Sequence, residues 1–395
     1  MSEPRFVFNR FRRQIGAVTS YPDLEEVRAV HRSLPGYAST QLRNLPGLAK
    51  RLGVGRLRVK DEGTRFGLKA FKALGAAYAC YRFLREQLGT SDRPCPPASK
   101  FYSETDFLRS DELTFCTATD GNHGRGVAWI ARLLGQRAVI FLPRGTVEAR
   151  VNNIRSEGAE TIIVDGTYDR AVEECARQAN QNGWQMISDT SWPGYEKIPT
   201  WIQDGYSTLF QEIDVQLDES SPPDVVIVPG GVGALAAAAA VHYNCPDVKP
   251  TPRLISVEPV EAACLLESIA SSDGNPVESH GRLDSLMAGL NCGIPSPVAW
   301  TPIRSGFDAF VSIPDRAAVD AMRHYYRPIG GDPRIIAGES GAATLGGLVT
   351  LVGNPRLGDA RKSLGLNRES SVLLLMTEAD TDPENFRRLV IDPTG

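Results

Sequence analysis

Residues 224–234 read Asp224-Val225-Val226-Ile227-Val228-Pro229-Gly230-Gly231-Val232-Gly233-Ala234. A short run of branched apolar residues is a strand buried on both faces, the kind that parallel sheets use. It stops at a Pro-Gly-Gly turn, and the alanine-rich stretch at 234–243 that follows is a strong helix former. Strand, glycine turn and helix in that order aim backbone N–H groups and the positive end of a helix at an anion. The turn lacks the Gly-Lys-Ser/Thr of a nucleotide-triphosphate loop and the spacing of a GxGxxG turn. A glycine turn made for packing alone has the same appearance, so its neighbours have to decide.

Outward from this unit the rhythm repeats. Further strands are expected at 56–61 (RLRVKD), 113–117 (LTFCT), 137–142 (RAVIFL), 161–164 (TIIV), 254–257 (LISV) and 371–376 (SVLLLM). Amphipathic stretches between them predict helices near 69–87, 123–134, 146–157, 169–181, 195–212, 317–326 and 341–352. Such alternation is the pattern of an α/β fold with mainly parallel sheets. Two stretches break it. Residues 90–110, with PCPP and several serines, predict a surface insertion, and 271–302 an irregular segment that wraps the surface or lines a cleft.

Composition removes several function classes. The net charge is −4, from 43 basic and 47 acidic residues. No basic excess points to nucleic acid, and no polybasic tail points to a membrane surface. The opening MSEPRFVFNRFRRQIGAV lacks the apolar core of a signal peptide, and the apolar run at 232–241 is too short to span a bilayer. Seven scattered cysteines without a CxxC pair imply reduced thiols, hence a cytoplasmic setting. Five histidines without an HExxH argue against a metal centre.

Three further segments carry chemistry. In Gly67-Leu68-Lys69-Ala70-Phe71-Lys72 a lysine stands at the start of a helix. The positive helix end and partial burial both favour the neutral amine that a Schiff base with an aldehyde requires. The physics leaves Lys69 and Lys72 both open. In Thr117-Ala118-Thr119-Asp120-Gly121-Asn122-His123-Gly124, small residues admit a ligand, Asn122 offers a donor and an acceptor, and Asp120 is a candidate base. Asp189 ends an apolar stretch and reads either as a turn cap or as a second carboxylate. His123, Trp192 and Trp201 read as packing residues, Cys264 and Cys292 as free thiols, and Glu339 equally as structure or function.

Lysine helix, asparagine loop and phosphate glycines, in that order, resemble the fold-type II pyridoxal phosphate enzymes of the tryptophan synthase β-subunit superfamily. Within it the chain is similar to the diaminopropionate ammonia-lyases, through KDEGTRFGLKAFKALGAAYA (60–79), ATDGNHGRGVAW (118–129), SDTSWPGYEKIPTWIQDGY (188–206), MAGLNCG (287–293), GESGA (338–342) and TEADTDP (377–383). Asp120 stands where the dehydratases of that superfamily carry a serine before Gly-Asn-His-Gly.

The resemblance implies two open, twisted, mainly parallel sheets flanked by helices, in a larger domain (1–85 and 213–395) and a smaller inserted one (86–212), with pyridoxal 5′-phosphate in the cleft between. It implies that Lys72 forms the Schiff base and Asn122 bonds the cofactor's ring oxygen. Gly230, Gly231, Val232 and Gly233 would bind its phosphate, and Thr377 would stand beside the pyridine nitrogen. Asp120 and Asp189 would be acid/base carboxylates for the D- and L-isomers of a small amino-acid substrate, in a homodimer. The chain departs from the pattern at Ala379, where glycine is usual, and at Ser191-Trp192-Pro193.

Overall fold

The computed structural model describes residues 3–13, 21–89, 95–105, 113–119, 121–217 and 222–392. Its strands are β1 (Arg5–Phe8), β2 (Gln41–Asn44), β3 (Arg56–Asp61), β4 (Thr114–Ala118), β5 (Arg137–Pro143), β6 (Glu160–Val164), β7 (Gln185–Met186), β8 (Val225–Pro229), β9 (Arg253–Pro259), β10 (Ala309–Ile313) and β11 (Ser371–Met376). They form two sheets, one of seven strands and one of four.

The chain divides into two compact units. Met1–Tyr21, Thr40–Thr64 and Leu209–Gly395 make the larger one, and Pro22–Ser39 with Arg65–Thr208 the smaller. This corrects the expected division at 85/86 and 212/213, because residues 22–39 and 65–85 group with the smaller unit. The cause is local packing. A Cβ on Gly75 would lie 2.7 Å from the side chains of Ile202 and Tyr206, so the Ala73–Gly89 helix meets the Lys197–Gly205 helix almost backbone to side chain. His31, buried on the Leu24–Arg32 helix, donates from Nε2 to the Leu74 carbonyl at 2.8 Å and bonds Thr208 Oγ1 through Nδ1 at 2.7 Å.

In the larger unit the order is β1-β10-β9-β8-β11-β3-β2. The inner five strands are parallel, while β1 and β2 cap the two edges antiparallel. Both faces of β8 and β11 are buried, as a parallel sheet covered by helices requires. β1, β2 and β10 were not expected from the pattern. The two edge strands are half-exposed and carry no continuous apolar run. Lys60, on β3, is fully buried. Its Nζ donates to Glu212 Oε2 at 2.7 Å and to the Thr40 carbonyl at 2.7 Å. Glu212 also accepts from Thr40 N at 3.1 Å, and Glu62 accepts from Thr40 Oγ1 at 2.5 Å.

In the smaller unit an all-parallel sheet runs β6-β5-β4-β7. The helix expected from residue 69 begins only at Ala73, because Phe66, Gly67 and Lys69 take positive φ angles of 51°, 72° and 63°. The single helix expected over 195–212 is two, Lys197–Gly205 and Ser207–Gln216. The supposed surface insertion at 90–110 is described only at 95–105, and there it is anchored. Phe101 is fully buried with its ring edge-on to Tyr81, and Tyr102 donates its hydroxyl to the Ala77 carbonyl at 2.6 Å. All seven cysteines, Cys264 and Cys292 among them, are free thiols. Among the described residues no helix is long and apolar enough to cross a membrane.

Removing one partner of a buried ion pair strands the other charge. Lys60→Met is therefore expected to cost about 3–5 kcal/mol, read as a lower urea midpoint for the larger unit. An unchanged midpoint would show that Glu212 is satisfied without the ammonium.

Candidate active site

In the smaller unit, β4 delivers the chain to the asparagine loop. Thr119 Oγ1 accepts from Gly121 N at 2.9 Å and from Gly124 N at 3.1 Å, which folds the loop back on itself. The Asn122–Leu133 helix starts there, with Asn122 half-buried. A Cβ on Gly126 would lie 3.0 Å from Ala73 Cα, so this helix packs directly against the backbone just after Lys72. Asp120 lies outside the described residues.

β7 runs parallel beside β4, and Asp189 follows it. Lys72 Nζ lies 2.5 Å from Asp189 Oδ2, with the two side chains 19% and 5% exposed. Tyr168, at the first position of the Tyr168–Asn182 helix, donates to Asp189 Oδ1 at 3.4 Å. His123 donates from Nε2 to the Ile187 carbonyl at 2.7 Å, tying the asparagine loop to the segment that presents Asp189. Its buried Nδ1 has no partner among the described residues, and neither has the buried Tyr206 hydroxyl, whose ring stands 4.7 Å from Phe71. Trp192 stacks on Tyr195 at 4.3 Å.

The electrostatics follow from burial and one ion pair. Burial pushes Asp189 up, but the Lys72 charge and hydrogen bond outweigh it and bring the carboxyl down to about 2. Burial, assisted by Lys72, holds His123 below the usual imidazole range, so it is neutral near pH 7.

In the larger unit the glycine turn follows β8, and Thr377, buried, follows the neighbouring β11. Both stand at the carboxyl ends of parallel strands, where open α/β sheets bind ligands. Gly231 and Gly233 have φ of 70° and 100°, which a side chain would strain. The Gly230 N–H is already given to the Val257 carbonyl at 2.8 Å, so Gly230 cannot offer it to a phosphate. Its place in the turn is steric, since a Cβ there would stand 2.5 Å from Glu258 Cγ. The N–H groups of Gly231, Val232 and Gly233 make no main-chain bond among the described residues, and the Ala234–Tyr243 helix starts directly behind them.

On the far side, Ser340 N donates to Glu378 Oε1 at 3.1 Å and Gly338 N to the Glu378 carbonyl at 2.9 Å, which pins the chain after Thr377. Glu339 accepts from Asn385 Nδ2. Ala379 stands over Gly63, where a built Cβ would meet its methyl at 3.0 Å. Among the described residues no group of three His, Cys, Asp or Glu side chains could hold a metal.

Tyr168, Tyr206 and Glu258 escaped the sequence reading, each looking like an ordinary helix, helix-end or strand residue. Each unit offers a group of the kind that a phosphorylated aldehyde needs. A half-buried lysine offers an amine, and a glycine turn with unspent N–H groups at a helix start offers an anion cradle.

The profile of the family described as pyridoxal-phosphate dependent enzyme matches residues 34–377, and the chain belongs to that family. Diaminopropionate ammonia-lyase of Salmonella typhimurium is 40% identical over 394 residues, covering 98% of this chain and 97% of the relative. The crystal structure of the holo Escherichia coli diaminopropionate ammonia-lyase superposes with a TM-score of 0.91 at 37% identity, covering 99% of this chain and 97% of that one. The same enzyme solved with D-serine gives a TM-score of 0.90 at 37% identity and the same coverage.

Gly231→Asp places a carboxylate where an anion would enter and forces a side chain into a left-handed backbone. Affinity of the cofactor-free protein for pyridoxal phosphate should fall by about a hundredfold or more, on the order of 3 kcal/mol. Unchanged cofactor content after dialysis would remove this turn from the site.

Proposed function

We propose that the chain eliminates both amino groups of 2,3-diaminopropionate, consuming one water and yielding pyruvate and two ammonia molecules. The observation that carries the reading is the half-buried Lys72 paired with the buried Asp189 at 2.5 Å, in a chain similar throughout its length to enzymes named for that reaction. Pyridoxal phosphate, when bound, supplies an electron sink that acidifies the Cα proton of an attached amino acid.

Lys72 would hold the cofactor through its amine. Asn122 would donate to its ring oxygen, and Gly231, Val232 and Gly233 would give their N–H groups to its phosphate, with Gly230 clearing the turn. Thr377 would stand at the pyridine nitrogen, where a hydroxyl leaves that nitrogen without a counter-charge. Asp189 would take the Cα proton of the L-isomer. In the cofactor-free protein it is a weak base because the Lys72 ammonium lowers it; with the Lys72 amine neutral, as Schiff-base chemistry requires, that influence is gone. Burial is then the main cause left, and it raises the carboxyl's basicity. Tyr168 would keep the carboxylate aimed, and His123 would hold the backbone that carries it. Asp120 is proposed, from the resemblance alone, as the carboxylate for the D-isomer. The β-amine leaves as ammonia only once protonated, and a carboxyl that has just taken the Cα proton can return one to it. A homodimer in the cytoplasm belongs to the same reading.

A second reading is elimination from another β-substituted amino acid. Ala379 and Ser191-Trp192-Pro193 depart from the family pattern, and the Escherichia coli relative was solved with D-serine. The ratio of products separates the two. Two ammonia molecules per pyruvate from either diaminopropionate isomer supports the first, while turnover confined to hydroxyl- or ester-bearing amino acids overturns it.

Borohydride reduction of the loaded enzyme should place the pyridoxyl label on Lys72, and a label on Lys69 would refute the assignment. Asp189→Asn should slow the L-isomer by about a hundred- to ten-thousand-fold and the D-isomer less. Asp120→Asn should show the opposite bias. Equal losses on both isomers from both variants would sink the two-base scheme.

A further inference from the structure

We propose that Glu258 is part of the phosphate site, a carboxyl seated against the glycine turn that takes up a proton when the phosphate arrives. The inference rests on reading Gly231–Gly233 as the phosphate cradle. Glu258 lies on β9 and is wholly buried. Its side chain runs against Gly230, with Cγ and Cδ 2.5 Å and 3.1 Å from where a Cβ on that glycine would stand. The contact explains why this turn position carries no side chain. Oε1 accepts from Leu265 N and Oε2 from Leu266 N, both at 2.8 Å, at the start of the Cys264–Ala270 helix.

No cationic side chain pairs with Glu258 among the described residues. Glu267, on the helix it caps, is the acid that acts on it, and Glu267 in turn pairs with Arg5 at 2.6 Å and bonds His280 Nδ1 at 2.8 Å. Cys264, beside it, places Sγ 3.5 Å from the Gly231 carbonyl, and burial with the Glu258 charge pushes that thiol well up. Cys292 faces Cys264. The register partner on β10 is the uncharged Ser312.

Burial is the largest influence on Glu258 and raises it to about 8, against the pull of the two N–H groups and with the push of Glu267. A dianion arriving on the turn adds a like charge, and no cation pairs with Glu258 among the described residues to offset it, which favours the neutral acid further. The sign follows by linkage. The group binds its proton more tightly in the loaded state, so anion affinity is full below about pH 8 and declines as pH rises above it, by up to about tenfold per unit for one proton. Glutamine matches the neutral acid in shape and charge, so Glu258→Gln should keep the affinity seen at low pH and lose the decline.

The test uses the full-length cofactor-free protein and sulfate, which stays dianionic from about pH 6 to about pH 9.5. Sulfate affinity should fall about tenfold per unit above about pH 8 in the native chain and stay level in Glu258→Gln. Calorimetry in buffers of different ionisation heat should record close to one proton taken up per sulfate by the native chain at alkaline pH. That measurement stands even if the variant folds poorly. Binding that Gly231→Asp abolishes, with parallel pH profiles in the native chain and Glu258→Gln and no proton uptake, overturns the role of Glu258 alone. Binding that Gly231→Asp leaves intact sinks the phosphate reading, and this inference with it.

Discussion

An ammonium and a carboxylate held 2.5 Å apart in a mostly water-free place are the constraint on which the smaller unit depends. Neither charge is tolerable there alone, since an unpaired buried ion costs several kcal/mol. The pair therefore dictates where three elements must meet. The turn before Ala73 has to deliver Lys72, and positive φ angles at Phe66, Gly67 and Lys69 make that turn. The strand pair β4–β7 has to deliver Asp189 and the asparagine loop side by side. Gly126 removes the side chain that would hold the two helices apart. The His123 bond to the Ile187 carbonyl then fixes the segment from behind.

The larger unit solves a different electrostatic problem. The glycine turn proposed as its anion cradle contains no cation of its own and would work through oriented N–H groups, which are effective only if the backbone cannot rotate away. Every side of the turn is accordingly braced. Gly230 is bonded into the sheet, Val232 accepts from Ser296 N at 2.9 Å, and Gly233 leaves room for Ile303. The buried charges of Lys60, Glu212 and Glu62 lie on the same unit as a separate network, closed on itself through Thr40.

Most strands buried on both faces could be read from the sequence almost to the residue, but β10 is wholly buried and was missed, because Ser312 interrupts its short apolar run. β11 and the helix at 234–243 coincide with the expected 371–376 and 234–243, because an unbroken apolar or alanine run has one reading, and β3 coincides with 56–61 although it alternates charged and apolar residues. The edges could not. β1 and β2 bury one side only, and their four residues apiece resemble loop. The break at Tyr206 was hidden because residues 195–212 keep a helical apolar period across it. The candidate residues were named, but their grouping was not visible. Lys72 and Asp189 are 117 positions apart, and nothing local couples them. Tyr168 looked like any helix-initial aromatic. The Gly230 N–H could be counted as a phosphate donor only until the sheet register showed where it goes.

The order of strands in the larger sheet also bears on how the chain comes to be folded at all. β3, near the beginning, lies between β2 and β11, and β11 is the last strand made. The sheet of the smaller unit, by contrast, is built entirely from residues 114–186. On a ribosome the inserted unit can close its sheet while the first strands of the surrounding one still wait with one edge open. A message cut short before Ser371 would leave β3 and β8 each without the neighbour that separates them. Two unpaired strand edges exposed together are a template for aggregation, so the chain has every reason to reach its final strand before its first ones are left to find another partner.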